Sequence, residues 1–159
     1  MYGSYTTSLT IAMKKSNDIL IPEFERLLKD GHMVEFTPRG VSMRPFIEGG
    51  CDKVTLKTCK EVAVGIIVLA RINHTYVLHR IYRIEDKAIV LHGDGNLVGE
   101  ERCSTEDIIG CVVRIKDKNG KTKRLTKAPI WRHLPTVIKK YYLKIYRNAI
   151  KWQLTNYED

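Results

Sequence analysis

The sequence predicts a mainly β (α+β) protein, with a coiled antiparallel β-sheet between a short N-terminal helix and a basic amphipathic C-terminal helix. Short segments of alternating apolar and polar residues, separated by turn residues, fill the middle of the chain. Apolar residues recur at helical spacing near both ends. The 159 residues are 43% hydrophobic and 28% charged, which suits one globular domain with a real core. We assign residues 1–15 to an N-terminal arm, 16–126 to the domain and 127–159 to the basic helix.

The first predicted element is a short helix that ends at about Lys29. Asn17 or Asp18 can cap its N-terminus, and Pro22 is expected early in the first turn. The pair Asp30-Gly31 ends the helix, since glycine readily adopts the left-handed conformation of a helix C-terminus. The apolar positions at helical spacing are Ile21, Phe24, Leu27 and Leu28.

The next elements are predicted strands, recognised by alternating or continuous apolar residues. Asn73-His74 reads as a turn, and Asn119-Gly120 is a strong signal for a two-residue hairpin. The loop 93–96 is rich in residues that tolerate a positive φ. The predicted strands are residues 33–36, 54–56, 64–71, 76–84, 87–92, 108–116 and 121–125.

The C-terminal segment is predicted to be a cationic amphipathic helix from about Trp131 to Gln153. Ten basic and two acidic residues give the stretch 121–159 a charge of +8, whereas 17 basic and 16 acidic residues leave residues 1–120 at +1. Such asymmetry indicates an anionic partner for the tail. The predicted apolar stripe consists of Leu134, Ile138, Tyr141, Ile145, Ala149 and Trp152, and the lysines and arginines lie largely off it.

The bulk features favour a cytoplasmic protein that can also lie at the inner face of a membrane. The N-terminal residues lack a basic leader and an apolar run of secretory length, and no apolar run is long enough to span a bilayer. The four cysteines do not have the spacing of a zinc site. Because thiols of a cytoplasmic protein stay reduced, we expect four ordinary reduced thiols. The sequence implies neither a metal nor a cofactor.

The pair Ser42 and His79 carries the main chemical hypothesis. A hydroxyl is a poor nucleophile unless a nearby base takes its proton, and an imidazole is suited to that task near neutral pH. Ser42 lies two residues after Gly40 and precedes Met43 and Pro45, so we expect it on an exposed, irregular turn. His79 lies in the middle of a predicted strand.

Several segments in a common order resemble the signal peptidase and LexA-like serine peptidase superfamily. Residues 40–45, Gly-Val-Ser-Met-Arg-Pro, resemble the family's nucleophile segment, and residues 77–81, Val-Leu-His-Arg-Ile, resemble the histidine motif of archaeal and endoplasmic-reticulum signal peptidases. Residues 65–70 are similar to a glycine-led strand of the family, 93–96 to its Gly-Asp-Asn-Asn segment and 107–110 to its closing strand. Together they cover about residues 34–116 and imply a sheet of the LexA/signal peptidase type.

The resemblance implies roles for individual residues. Ser42 would be the nucleophile, its backbone N–H an oxyanion donor, and His79 the general base. The acid that orients the imidazole stays open: Asp94 is preferred for its turn context, while the family's spacing favours Glu100 or Glu101. Met43 and Pro45 are expected to line a substrate groove.

The chain departs from the family pattern at three positions. The bacterial enzymes and LexA use a lysine as base, whereas His79 would take that role here. Ile66 stands where the family usually has Asp, which predicts a structural effect only. Gly40 stands where signal peptidases often carry a hydroxyl, so a second oxyanion donor must come from elsewhere.

The resemblance implies a serine endopeptidase that removes a signal-like or leader-like peptide from a peptide or protein precursor. The alternative is a non-catalytic peptide-binding module or a self-cleaving LexA-like regulator. Two interpretations of the basic helix stay open: a terminal helix that packs on the domain with solvated lysines, or attachment to an anionic membrane surface. Nucleic acid is disfavoured, because no helix-turn-helix pair precedes the peptidase-like region.

Overall fold

A computed structural model describes residues 17–86 and 88–155 of the chain. They form a mainly β structure, with a curled antiparallel sheet, one helix before it and helices at the C-terminal end. The predicted coarse fold class is therefore confirmed. The proposed arm at residues 1–15 lies outside the described residues.

Helix α1 spans Asn17–Lys29 and ends at the predicted residue, whereas the two candidate caps, Asn17 and Asp18, both lie within the helix. Its end is a glycine-dependent turn in which Gly31 adopts a φ of 83° and its N–H donates to the Leu28 carbonyl. Pro22 lies in the second turn of the helix, not in the first turn as expected. Phe24 and Leu28 are buried against the sheet, which fixes α1 on one of its faces.

The sheet has the strand order β1-β2-β7-β3-β4-β5-β6, with β8 pairing to β7, and every pairing is antiparallel. The hairpin between β3 and β4 turns at Asn73 and His74, which both have positive φ, as the two-residue turn signal requires. The strand bounds are β1 Val34–Phe36, β2 Lys53–Lys57, β3 Ile67–Ile72, β4 Thr75–Glu85, β5 Ala88–His92, β6 Glu101–Cys103, β7 Ile108–Lys116 and β8 Thr122–Lys123.

The central strand β3 has two buried faces. Ile67 and Leu69 belong to the core cluster beneath α1, whereas Val68 and Ala70 belong to a second cluster formed with β4 and β5. Successive strand residues point to opposite faces, so a strand covered on both sides needs a continuous apolar run. The uninterrupted apolar sequence at this position reflects that double burial.

The middle of the chain differs from the prediction at β6 and at the last hairpin. Strand β6 and a 3₁₀ turn at Thr105–Asp107 occupy a stretch for which no element is predicted. The hairpin after β7 has a longer loop than predicted: Ile115 pairs with Lys123, and the Asp117 N–H donates to the Lys121 carbonyl. Strand β8 is consequently only two residues long.

The basic C-terminal segment is two helices instead of one. Helix α2 spans Pro129–His133 and helix α3 spans Thr136–Thr155. The break falls at Leu134, which has an extended conformation (φ −65°, ψ 138°). A residue before proline is sterically disfavoured in the helical region, so Pro135 accounts for the interruption.

The expectation of four reduced thiols is wrong for Cys59 and Cys111. These residues form a disulfide, with 5.1 Å between their Cα atoms, that links the loop after β2 to β7. Cys51 is an exposed thiol and Cys103 a buried one. Across residues 17–86 and 88–155, no helix combines the length and the apolar content needed to cross a bilayer.

Candidate active site

The segment around Ser42 is a tight, irregular turn between β1 and β2. The Arg44 N–H donates to the Val41 carbonyl, and the Ile47 N–H donates to the Met43 carbonyl. Met43 and Ile47 are buried in the core cluster beneath α1 and anchor the turn. Ser42 itself is half-buried. The predicted position of Ser42 on an irregular turn is thus observed, although the residue is not fully exposed.

The turn that carries Ser42 packs directly on the loop 93–96. The Gly95 N–H donates to the Ser42 carbonyl over 2.7 Å. A β-carbon at Gly93 would lie 2.6 Å from the Ser42 carbonyl oxygen, and one at Gly95 would lie 2.5 Å from that of Val41. Any side chain would force the loops apart, so both glycines are required for the close backbone approach that places Ser42.

Ser42 and His79 line the same cavity, which has a volume of about 150 Å³. His79 lies in the middle of β4, opposite Val68 of β3, and is 5% exposed. The tertiary structure therefore brings together two residues that are 37 positions apart in the chain. The rest of the lining comes from the segments 38–40 and 76–78 together with Met43, Ile47 and Gly49.

The carboxylate that contacts His79 belongs to Glu101. Its Oε2 atom lies 2.9 Å from the His79 Nδ1 atom. Glu101 is the first residue of β6. Ile81 of β4 pairs with Leu91 of β5, and Leu91 pairs with Glu101, so Glu101 lies on the face of the sheet that also carries His79. A carboxylate acceptor favours the tautomer with hydrogen on Nδ1, which leaves the Nε2 lone pair to accept a proton.

The preference for Asp94 as the partner of His79 does not agree with the geometry. Asp94 is buried and accepts hydrogen bonds from Nε and Nη2 of Arg80, at 2.7 to 3.0 Å. Adjacent residues of β4 point to opposite faces, so His79 and Arg80 each take a different carboxylate. A buried charge needs such a partner, and Asp94 is therefore occupied in a structural ion pair.

Arg80 supports the loops around the site, a role that we did not predict from the sequence. Its Nη1 atom donates to the carbonyls of Gly65 and Thr126, both at 2.7 Å, and its guanidinium lies 5.1 Å from the centre of the Phe46 ring. Arg80 is 1% exposed. The signal in the sequence was an arginine directly after the histidine, within a predicted apolar strand, together with the only aspartate of the loop 93–96.

Glu100, the other acid that we considered, faces a different group. Its two carboxylate oxygens accept hydrogen bonds from Nη1 and Nη2 of Arg83, at 2.7 and 2.8 Å. This contact with Arg83 lowers the pKa of Glu100. The two neighbouring glutamates thus belong to separate ion pairs, and only Glu101 reaches the imidazole.

The two residues expected to line the substrate groove have different positions. Met43 lines the cavity that contains Ser42 and His79 and is otherwise buried. Pro45 is not part of that lining, and its carbonyl accepts a hydrogen bond from the hydroxyl of Tyr146 in α3 over 3.4 Å. The turn around Ser42 is therefore supported by the C-terminal helix on one side.

Helix α2 also supports the loops around the site. Trp131 is buried, and its Nε1 atom donates to the Asp94 backbone carbonyl over 2.9 Å. The edge of its ring packs on Phe46, with 5.9 Å between ring centres. The sequence marked the segment as basic and amphipathic but did not reveal this structural contact.

The described residues contain no group of three or more His, Cys, Asp or Glu side chains that could hold a metal ion. The site thus combines a hydroxyl and an imidazole that line one cavity with a carboxylate that contacts the imidazole. In comparisons with protein-family models, curated proteins and solved structures, nothing matched this chain.

Proposed function

We propose that this protein is a serine endopeptidase in which Ser42 is the nucleophile, His79 the general base and Glu101 the acid that orients the imidazole. The observation that carries the proposal is that Ser42 and His79 line one cavity while Glu101 contacts the far nitrogen of the imidazole. A nucleophile, a base and an orienting carboxylate in this order are what acyl transfer by a hydroxyl requires.

In the proposed reaction, the Ser42 Oγ–H bond breaks as its proton moves to the His79 Nε2 atom. Oγ forms a bond to the carbonyl carbon of the scissile peptide, and the π electrons move onto the carbonyl oxygen. The carbonyl then re-forms as the C–N bond breaks, the imidazolium gives its proton to the leaving amine, and an acyl-enzyme remains. In the second half, His79 takes a proton from water as its oxygen attacks the ester carbonyl; the C–Oγ bond then breaks, Ser42 regains a proton from the imidazolium, and the new carboxyl end of the substrate is released.

Glu101 acts on the imidazole and not on the substrate. Its carboxylate accepts the Nδ1 hydrogen and favours the positive charge that His79 acquires in the transition state. The side chain of His79 is 7% exposed and that of Glu101 is 30% exposed, so water screens this pair only in part. The contact therefore fixes the orientation of the base.

The negative oxygen of the tetrahedral intermediate needs hydrogen-bond donors. We assign the backbone N–H of Ser42 to that role, since the turn places it next to the attacking Oγ. Gly40 has a φ of 87°, a conformation that residues with side chains rarely adopt, so the turn depends on glycine where signal peptidases often carry a hydroxyl. A second donor would then come from the backbone, and each donor contributes about 3 kcal/mol to the transition state.

The proposed substrate is an extended leader-like segment of a peptide or protein precursor. A cavity of about 150 Å³ accepts only a small side chain next to the scissile bond. Strand β1 lies at an edge of the sheet and leads into the turn of Ser42, so an extended peptide can pair with it through backbone hydrogen bonds. These features and the order of the motifs support a fold of the LexA/signal peptidase type.

The proposal is tested by cleavage of a peptide library with small residues at varied positions, with products detected by mass spectrometry. We expect wild-type protein to cleave such peptides and Ser42→Ala to lose the activity at unchanged melting temperature. Ser104→Ala is the matched control, since the Ser104 hydroxyl bonds to Asp107 away from the cavity. Cleavage that persists in Ser42→Ala would refute the assignment, and binding without cleavage by the wild type would favour a peptide-binding module.

A further inference from the structure

Helix α3 rests on the domain with a face that does not include the apolar stripe predicted from its sequence. The rings of Tyr142 and Trp131 are in edge contact at 5.3 Å, and the Tyr146 hydroxyl reaches the Pro45 carbonyl. Lys139 is buried between the rings of Tyr82 and Trp131, and this burial lowers its pKa. These contacts fix the rotation of the helix about its axis.

The opposite side of α3 presents large apolar side chains to solvent. Val137 is 77% exposed, Tyr141 68% and Ile145 54%. Ile138 and Trp152 are exposed on the same side, at 3.6 residues per turn. The stripe 137–152 is roughly 22 Å long at ~1.5 Å per residue, and an exposed apolar patch of this kind marks an interaction surface.

A row of cations borders the exposed stripe. Its members recur at spacings of three or four residues, are all exposed, and lie between the apolar stripe and the face that packs on the domain. The segment 129–155 contains no Asp or Glu. The cationic row consists of Lys140, Lys144, Arg147 and Lys151.

We propose that this surface of α3 docks the protein onto an anionic lipid bilayer. Apolar side chains beside a row of lysine and arginine match the acyl boundary and the phosphate headgroups of such a bilayer, and Tyr141 and Trp152 suit the interface between them. A second copy of the chain would bring two cationic rows together, which is unfavourable. A nucleic acid offers phosphates but leaves the apolar stripe exposed to water.

The docked orientation places the candidate active site beside the bilayer. Val41, adjacent to Ser42, is 56% exposed and lines a cleft of about 350 Å³ together with Lys140 and Lys144. The turn of Ser42 and the cationic row are thus neighbours on one surface. If the proposed peptidase function holds, precursors at the membrane surface would meet the cavity directly.

The test is flotation of the full chain with vesicles of phosphatidylcholine alone and of phosphatidylcholine mixed with phosphatidylglycerol. We expect binding to the mixed vesicles that weakens with salt. The variant Lys140→Gln/Lys144→Gln/Arg147→Gln should bind roughly a hundredfold more weakly, because each basic residue near an anionic leaflet adds about 1 kcal/mol. The control Lys57→Gln/Lys60→Gln/Lys121→Gln removes the same charge from other exposed positions and should bind as the wild type does.

A second variant separates the bilayer from other partners. Ile138→Gln/Tyr141→Gln/Ile145→Gln keeps every charge and replaces exposed residues with a good helix former, so the helix should remain intact by circular dichroism. We expect it to lose at least tenfold in vesicle binding. Vesicle binding that stays unchanged in this variant would overturn the proposal. So would a charge-removal variant that loses binding to duplex DNA and to vesicles equally. A wild-type protein that binds no vesicles, and a dimer that becomes a monomer in the apolar variant, would also overturn it.

Discussion

The Oε2 atom of Glu101 lies 2.9 Å from the Nδ1 atom of His79, and the adjacent residue of the same strand, Arg80, pairs with Asp94. The two carboxylates thus have separate tasks. Glu101 is half-buried and contacts the imidazole of His79. Asp94 is 5% exposed and neutralises the buried guanidinium of Arg80. This division leads to predictions that distinguish the two acids.

Replacement of Glu101 should affect turnover and not stability. We expect Glu101→Gln to lower kcat by about 10²- to 10⁴-fold, because the amide no longer stabilises the charged imidazolium. The free energy of unfolding should change by less than about 1 kcal/mol, since the pair is partly solvated. Steady-state kinetics and urea unfolding measure the two effects.

The neighbouring glutamate provides the control for Glu101. Glu100→Gln removes the same charge one residue away but breaks only the contact with Arg83. It should cleave peptides at the wild-type rate. Equal losses of kcat in both variants would contradict the role assigned to Glu101.

Replacement of Asp94 should affect stability first. Asp94→Asn leaves the guanidinium of Arg80 buried without a counter-charge, and we expect a loss of about 3 kcal/mol or more in the free energy of unfolding. The loop 93–96 also holds the Ser42 carbonyl through the Gly95 N–H, so cleavage should fall as well. Thermal and urea unfolding provide the measurement.

An exposed ion pair is the comparison for Asp94. The side chains of Arg83 and Glu100 are 42% and 35% exposed, so loss of that pair in Glu100→Gln should change stability by less than about 1 kcal/mol. A similarly small change for Asp94→Asn would show that the buried pair is not required for the fold.

The contact between α3 and the domain should weaken in alkali. Burial, with smaller contributions from Glu48 and Asp52, raises the pKa of Tyr146 from 10.0 to about 12. The folded state therefore favours the neutral phenol. Its contribution to stability is fully present below pH 10.0 and is lost as the pH rises to about 12.

Melting temperatures between pH 9 and about 12 test this dependence, since that window spans ordinary tyrosine ionisation. Tyr146→Phe cannot ionise and should show a shallower alkaline decline than the wild type. Tyr141→Phe is the matched control, because Tyr141 is exposed on the other side of the same helix. Identical declines in all three proteins would contradict the effect of burial.

The bond between Cys59 and Cys111 should contribute substantially to stability. It closes a loop with a sequence separation of 52, for which the chain-entropy model gives about 4 kcal/mol. We expect a reducing agent to lower the urea midpoint of the wild type. The variant Cys59→Ala/Cys111→Ala should not respond, and an unresponsive wild type would indicate that the bond does not form in solution.

Local patterns predicted much of the fold. Helix α1 ends at the predicted residue, strand β7 has the predicted bounds, and a turn lies at Asn73-His74 as predicted. Each depends on a period or a turn preference contained within a few consecutive residues. The motif order also predicted which serine and which histidine to consider, and the structure places both on one cavity.

Long-range pairing decided what local patterns could not. The stretch that forms β6 is short and polar, so only its pairing with β5, in which Leu91 faces Glu101, defines it as a strand. That register selects Glu101 over Glu100 as the neighbour of His79. The disulfide likewise depends on the approach of two distant segments.

For the candidate site, the sequence by itself determined the residue types, their order and the turn that holds Ser42. The tertiary structure alone decided that Glu101 contacts His79, that Asp94 is committed to Arg80, and that the apolar stripe of α3 faces solvent. The physical reason is that periodicity shows which residues share a face of a strand or helix. Which group that face meets depends on strands and helices that are remote in the sequence.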